Sequence, residues 1–480
     1  MKHWAPIALC GMVLGCNQMT PPQPLPTLPD QFLQPVQGTM PDANPWRMLG
    51  DPALSQWIEQ VQSSNTELQA GLARLDAAKA ELAGISAAQY PTLDWEHSVE
   101  RRKQSKYDLG ETIEDPKNPN NRHASQLVFG YELDLRGKIR AAIRAGEAEQ
   151  RANRFDLQAL RLSLARQTAD LWLMRAELSS MARNIATQRA LLAERQQVLQ
   201  RKRQVGLLAA DPLRDEARQL DELDLQALHI EQQRLRAERS LCQLAAQSHA
   251  GCKLPVGRAM ADMAIPSIGT SVPAALLQRR PDLAAAQARY DAARARIDEA
   301  EAARWPALTL AGVLGVSAGN WAGLRRDNAK NWSLMPQIAA PLFDAGRRRA
   351  EVDQARSLAG ASYAQWHGAI INAVNEVEDA AQTMTWATDT VHRRQSLWQL
   401  ADKQWKAAQT SRRAGLNDGL QVRQAQLALL TAEQAQLTAR REQLQASVAL
   451  IAALGGGWVA EPVDQATSTT SDLATRVSSR

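Results

Sequence analysis

The sequence predicts a mainly helical protein carrying a pair of β-hairpins and built as two tandem repeats. Three observations carry that prediction: long Pro-free stretches rich in Ala, Leu, Gln and Arg, segments with strict apolar/polar alternation, and self-similarity at an offset of 209 to 215 residues. Aromatics make up only 5% of the 480 residues, with Gly 26 and Pro 22, a composition that favours long helices. Fifty-six Lys+Arg against 51 Asp+Glu leave a net charge of +5, too even for a nucleic-acid binder. Mean hydropathy is −0.38. No apolar run approaches the ~20 residues a bilayer-crossing helix needs, so a membrane crossing would have to be made by strands.

At the N-terminus, Lys2 and His3 precede an apolar run from Ala5 to Gly15, which reads as a secretory signal over 1–15. Val13, Leu14, Gly15 and Cys16 match a bacterial lipobox, making Cys16 the acylated new N-terminus. An ordinary signal with an incidental cysteine is the alternative; Cys10 competes less well because no small residue precedes it. Multiple acyl chains would anchor firmly, at ~0.8 kcal/mol per buried CH₂. Asn17 rather than Asp after the cysteine sorts the protein to the outer membrane. Residues 16–52 form an extended strap, with nine of the 22 prolines between 20 and 52.

The first repeat spans 53–250 and the second 273–461, joined by a segment over 251–272 and followed by a disordered Ser/Thr-rich tail over 462–480. Each opens with a helix, 55–88 and 273–304, that stops at Tyr90-Pro91 or Trp305-Pro306. Strands follow at 91–103 and 123–135, and again at 306–318 and 330–342. Leu93, Trp95, His97 and Val99 alternate with Asp94, Glu96, Ser98 and Glu100, and Leu127, Phe129, Tyr131, Leu133 and Leu135 with Gln126, Gly130, Glu132 and Asp134, the period of two expected of strands. Long helices are predicted over 138–205 and 344–414, about 68 residues or roughly 100 Å at 1.5 Å per residue. Leu157, Leu164, Leu171, Leu178, Ile185, Leu192 and Leu199 recur every seven residues in the first; Ile370, Val377, Met384, Val391, Trp398 and Trp405 do so in the second. Such a strict repeat imposes left-handed supercoiling on a neighbour. Helices of about half that length, 212–248 and 420–454, follow the Gly206 and Gly415 turns. Cys242 and Cys252 suit a structural disulfide in an oxidising periplasm, two unpaired thiols being the alternative.

Strands of about 13 residues exceed the 9–11 that span a membrane, and their one apolar and one polar face is the barrel pattern. A soluble sheet on a core would alternate likewise, but the sequence holds no third layer to pack on it. Four strands cannot close, and open edges in lipid cost several kcal/mol per unsatisfied backbone group, so several chains must pool their strands.

These features together resemble the TolC-like outer membrane efflux channels, in their NodT-like lipoprotein branch. The match rests on Trp46 to Leu54, Leu133 to Arg140, Arg279-Arg280-Pro281-Asp282 and Pro341 to Arg347, in that order and spacing. The resemblance implies a homotrimer: a 12-stranded outer-membrane β-barrel continuous with a 12-helix periplasmic coiled-coil α-barrel, docked on a periplasmic adaptor protein and an inner-membrane pump. It places Gly206, Leu207, Gly415 and Leu416 at the periplasmic tip, where the adaptor docks. Family members often carry acidic residues six and nine positions after the second glycine; here Gln421 and Gln424 stand there, leaving Asp418, Leu420 and Arg423 beside them as gate candidates. Leu420 suits helix packing equally well.

Asp94, Glu96, Glu100, Glu132 and Asp134 are candidate lumen acids that would favour cation passage by their field. Gly315-Val-Ser317-Ala-Gly319 matches a nucleophile pattern, but between strands it lacks the strand-to-helix turn that exposes such a serine. The seven histidines form no metal-binding spacing, and no phosphate-binding glycine loop occurs, so no catalytic residue, metal or cofactor is expected. The sequence therefore points to a passive export conduit. The competing reading is a non-pore coiled-coil lipoprotein acting as adaptor or structural bridge, which would carry one hairpin flanked by small β-domains rather than four alternating strands.

Overall fold

The computed structural model describes residues 23–24, 29–33, 38–42, 44–103, 119–206, 211–270 and 273–458. Cys16, Leu207 and the 462–480 tail lie outside them. The elements are α1 (Pro52–Ser64), α2 (Thr66–Ala87), β1 (Thr92–Arg102), β2 (Asn120–Leu133), α3 (Lys138–Gln204), α4 (Asp211–Leu244), a single turn α5 (Leu276–Arg279), α6 (Pro281–Ala302), β3 (Ala307–Ala318), β4 (Lys330–Ala339), α7 (Arg347–Arg413) and α8 (Gly419–Ala453). The long helices α3 and α7 are each 67 residues, begin and end 209 positions apart, and are entered and left through glycines of positive φ: Gly137 (76°) and Gly206 (77°) in the first repeat, Gly346 (85°) and Gly415 (75°) in the second.

Several boundaries differ from the sequence reading, each for a local reason. The helix expected over 55–88 is two, because Asn65 is extended and its side chain caps α2, accepting from the backbone N–H of Glu67 and Leu68 at 2.9 and 3.1 Å while donating to the Leu244 carbonyl at 2.8 Å. The stretch expected over 273–304 breaks at Arg280, held extended by the proline that follows and that opens α6. β2 starts at Asn120 and stops at Leu133, so Asp134 lies beyond the strand rather than in it. β4 ends at Ala339, leaving Leu342 and Phe343 outside the ladder and exposed. The two expected hairpins form one antiparallel sheet of order β1-β2-β3-β4, because β2 and β3 also pair, with Leu127 opposite Leu314.

The chain divides into two compact units. The first comprises residues 75–153 and 286–366 with the start of the strap, and holds the sheet and the helix segments joined to it. Small residues let these helices approach: Ala293 and Ile297 of α6 pack on Ala355 and Ala359 of α7, and Gly146 of α3 lies against Leu82 and Ile85 of α2. Tyr290, Tyr363 and Trp366 form an aromatic cluster that also receives the strap, since Tyr363 donates to the Pro24 carbonyl (2.7 Å) and the Tyr290 hydroxyl accepts from Gln23 N–H (2.9 Å).

The second unit comprises 26–74, 154–285 and 367–480. Six of the seven seam residues of α3 are buried here, and Leu178 and Ile185 pack on Ile230 of α4. The α7 seam is buried at Ile370 and Val377 and half-buried from Met384 to Trp405. Its central knot lies among α1, α3 and the inter-repeat segment, where the buried Asp51 carboxylate accepts from Ala53 N–H, Trp172 Nε1 and Arg258 N–H at 3.0, 2.9 and 3.0 Å. A Cβ on Gly257 would come within 2.8 Å of both Asp51 and Trp172. Strap residue Thr39 forms a parallel bridge with Ile268, and Cys242 and Cys252 are joined in a disulfide. The buried Arg280 pairs with Asp282 and Glu376 at 2.7 Å each and donates to the Ala453 carbonyl at 3.1 Å.

Candidate functional site: strand faces and helix turns

Straight across the sheet, Trp95, Leu127, Leu314 and Trp332 occupy one row of register, and all four are exposed. The next rows of that face hold Leu93, Phe129 and Leu334, then Tyr131, Leu310 and Pro336, then Leu133, Leu308 and Ile338. Trp332 is 79% and Ile338 69% exposed, far more apolar surface than a sheet in water leaves uncovered. The opposite face holds Asp94, Glu96, Ser98 and Glu100 on β1, then Gln126, Thr309, Asn331 and Gln337 on the other strands, with Val128, Val313 and Met335 among them. Each apolar row costs solvation in water and gains it in lipid, at about 25 cal/mol per Å². At the helix-joined ends of the strands, Tyr90 and Trp305 are exposed, as interfacial aromatics are.

The five acidic candidates separate into two sets. Asp94, Glu96 and Glu100 are exposed on the polar face of β1, with Glu96 accepting from Gln126 Nε2 at 3.2 Å. Glu132 and Asp134 instead serve the start of α3: Glu132 pairs with Lys138 Nζ at 2.8 Å, and Asp134 accepts from the Arg140 backbone N–H (3.0 Å) and Nε (3.2 Å). Asp344 does the same for α7, accepting from Gly346 and Arg348 N–H at 3.1 and 3.3 Å. The four N–H groups that open a helix lack internal partners, and the carboxylate placed before it in each repeat satisfies one of them, that of Arg140 in α3 and of Arg348 in α7.

The second candidate site is the pair of helix turns. After α7, Gly415 N–H bonds the Arg412 carbonyl (3.0 Å) and Leu416 N–H the Ser411 carbonyl (2.9 Å), the Schellman arrangement that ends a helix with a left-handed glycine. Gly206 repeats the first of these bonds, to the Arg203 carbonyl at 3.0 Å. Leu416 is 81% exposed, an apolar side chain left uncovered at the turn. Asp418 caps α8, accepting from Leu420 and Gln421 N–H at 3.1 and 3.2 Å, and pairs with Lys202 at 2.9 Å. The Lys202 ammonium, ahead of the backbone donors, holds its carboxyl below the usual range. Gln424 accepts from Arg195 at 2.8 Å, Arg423 lies 3.7 Å from Glu194, and Arg195 also faces the buried Glu216 at 3.4 Å. Leu420 is half-buried beside buried Val422, and Gln421 is exposed.

Asp418, Arg423 and Gln424 thus tie the start of α8 to the end of α3. Their partners Glu194, Arg195 and Lys202 escaped the sequence reading, because pairing across about 220 residues leaves no periodic signal. Ser317 sits in β3 with its Oγ accepting from Asn331 Nδ2 at 3.1 Å, held in a strand rather than on a nucleophile turn. Among the described residues, no helix is long and apolar enough to cross a membrane, and no cluster of three or more His, Cys, Asp or Glu could hold a metal ion.

A family model described as "Outer membrane efflux protein" matches residues 57–247 and 272–456, one match per repeat. The pyoverdine export outer membrane protein OpmQ of Pseudomonas putida is 28% identical over 96% of this chain and 98% of its own length. Nodulation protein T of Rhizobium leguminosarum bv. trifolii is 25% identical over 94% and 96%. The solved outer-membrane channel OprN superposes with a TM-score of 0.83 at 25% identity, covering 92% of this chain and 100% of that one.

Proposed function

The chain belongs to the outer membrane efflux protein family, and from that premise we propose that three copies assemble into a passive conduit through which small molecules leave the periplasm. It is an outer membrane component of an efflux system. The observation that carries the trimer is the open sheet: one face of exposed Trp and Leu rows, and one free edge on each of β1 and β4 among the described residues. In lipid every such edge must pair, and closure by copies of the same four strands satisfies it. Three chains give twelve strands, of 10 to 14 residues each, long enough to span the hydrocarbon.

In this reading the apolar rows face lipid, and Asp94, Glu96 and Glu100 face the lumen. The Gly206 and Gly415 turns, with exposed Leu416, form the docking rim for a periplasmic adaptor that links the conduit to an inner-membrane pump, the source of energy. The ties from α3 to Asp418, Arg423 and Gln424 hold the entrance narrow. An acylated Cys16 and the strap behind it add a second attachment to the membrane.

The test is the native mass of the detergent-extracted protein by light scattering, combined with conductance in a planar bilayer. A trimer that passes ions supports the conduit. A monomer or dimer without conductance overturns the trimeric conduit.

A further inference from the structure

At the hairpin ends of the strands, away from the helices, the apolar face changes character. Its rows there hold His97 with Ser125, Val316 and Lys330, then Val99 with His123 and Ala318, then Arg101 with Asn121. Trp321, from the β3–β4 connection, folds back over this face: its ring lies 5.0 Å from both His97 and His123, and His97 continues the stack to Trp95 at 6.1 Å. Beside the stack is a cleft lined by Trp95, His97, Ser125, Trp321, Leu324 and Arg325. His123 is only 8% exposed, and its Nδ1 has no hydrogen-bond partner among the described residues. Arg325 lines the cleft, Lys330 shares the His97 row and Arg101 stands two rows beyond on the same face, all three exposed, and Asp327 lies 3.0 Å from Lys330.

We propose that this cleft binds the phosphorylated headgroup of a lipid in the surrounding leaflet, with Trp321 and the histidines at the boundary of the hydrocarbon and Arg101, Arg325 and Lys330 holding phosphate. The proposal rests on the apolar face being the lipid face. Three features of the cleft fit that ligand together. The position is directly above the last apolar rows, where acyl chains end and headgroups begin. The aromatic stack is amphipathic, with the exposed Trp321 indole at the outer end of the apolar rows and imidazole rings beneath it. The excess of cations is the charge that phosphates require, and guanidinium matches phosphate with two parallel donors. Guanidinium groups at the edge of a low-dielectric layer favour an anionic headgroup over a neutral one, because a phosphate offsets their charge.

The experiment is native mass spectrometry of the detergent-extracted full-length protein, titrated with a bis-phosphorylated lipid A glycolipid, its dephosphorylated form, or phosphatidylcholine. The expected result is saturable binding of the phosphorylated lipid, at least tenfold tighter than of the other two. The combined variant Arg101→Gln, Arg325→Gln and Lys330→Gln weakens it at least fivefold, and Trp321→Ala weakens it while leaving the melting temperature in neutral detergent near that of the parent. Equal retention of all three lipids, or unchanged affinity in the triple variant, overturns the proposal while leaving the apolar face a lipid face. If the protein binds no detergent belt and no lipid at all, the membrane reading fails first, and the headgroup site falls with it.

Discussion

Trp172 donates its indole N–H to the carboxylate of Asp51 across 2.9 Å, in a site where both side chains are buried. That carboxylate caps α1 and takes the Arg258 N–H as well, so one residue joins the first helix, the long helix α3 and the inter-repeat segment. Replacing Asp51 by Ala removes a cap worth about 1 kcal/mol. It also strands the buried Trp172 indole N–H at about 1–3 kcal/mol and leaves the part-buried Arg258 N–H without its acceptor. We expect a loss of roughly 3 kcal/mol, read as a lowered midpoint in thermal or urea unfolding. Asp51→Asn, which keeps an acceptor oxygen, should lose less.

A second prediction concerns pH. Burial, opposed by Arg166 and Arg441, raises the pKa of Asp170 from 3.8 to about 6, and burial raises Glu177 and Glu216 in the same sense. A carboxyl whose pKa is higher folded than unfolded binds its proton more tightly when folded, so stability increases as pH falls from about 7 towards 4. Water at the Asp170 side chain, 36% exposed, limits its share to about 1 kcal/mol. Below the unfolded carboxylate range the trend reverses, because Asp418 and Glu231, both lowered by cationic partners, are then protonated and their pairs lost. Melting temperature against pH should therefore peak on the acid side of neutrality, and Asp170→Asn should flatten the rise.

The Lys202–Asp418 pair is exposed, which limits it to about 1 kcal/mol, a factor of about five in an equilibrium. Asp418→Asn retains the helix cap and removes the charge. If this pair holds the entrance narrow, the variant should raise the open fraction in single-channel recordings by up to about fivefold with little change in melting temperature. Concentrated salt should raise the open fraction of the parent protein in the same direction. An unchanged open fraction in both would remove Asp418 from the gate.

Reducing the Cys242–Cys252 bridge frees a loop of 10 residues' separation next to the end of α4. Chain entropy places the cost at about 2–3 kcal/mol. The melting temperature should fall in reductant, and the double Cys242→Ser, Cys252→Ser variant should match the reduced protein and no longer respond to reductant.

Neutralising Asp94, Glu96 and Glu100 together should lower cation over anion selectivity, measured as a reversal-potential shift across a salt gradient. Neutralising Glu132 or Asp134 should act on stability instead, since these carboxylates are engaged by Lys138 and Arg140 at the start of α3.

What the sequence determined by itself was what repeats locally. The seven-residue seam from Leu157 to Leu199, the alternation from Leu93 to Val99 and the glycines 206 and 415 recur at periods set by backbone geometry. Helix lengths, strand positions and the 209-residue offset could therefore be read without coordinates. Interruptions due to side-chain chemistry were less visible: Asn65 looks like one more polar helix residue until its amide is seen to reach the Leu244 carbonyl. Only the tertiary structure decided the rest: that β2 pairs with β3, that Glu132 and Asp134 serve a helix start, that Lys202 meets Asp418, and that Trp321 folds over His97 and His123. These partners lie far apart in the chain or across a turn, and a contact that occurs once leaves no period to read. Its energy comes from burial and from satisfying one donor with one acceptor, which depend on where the folded chain brings the two groups.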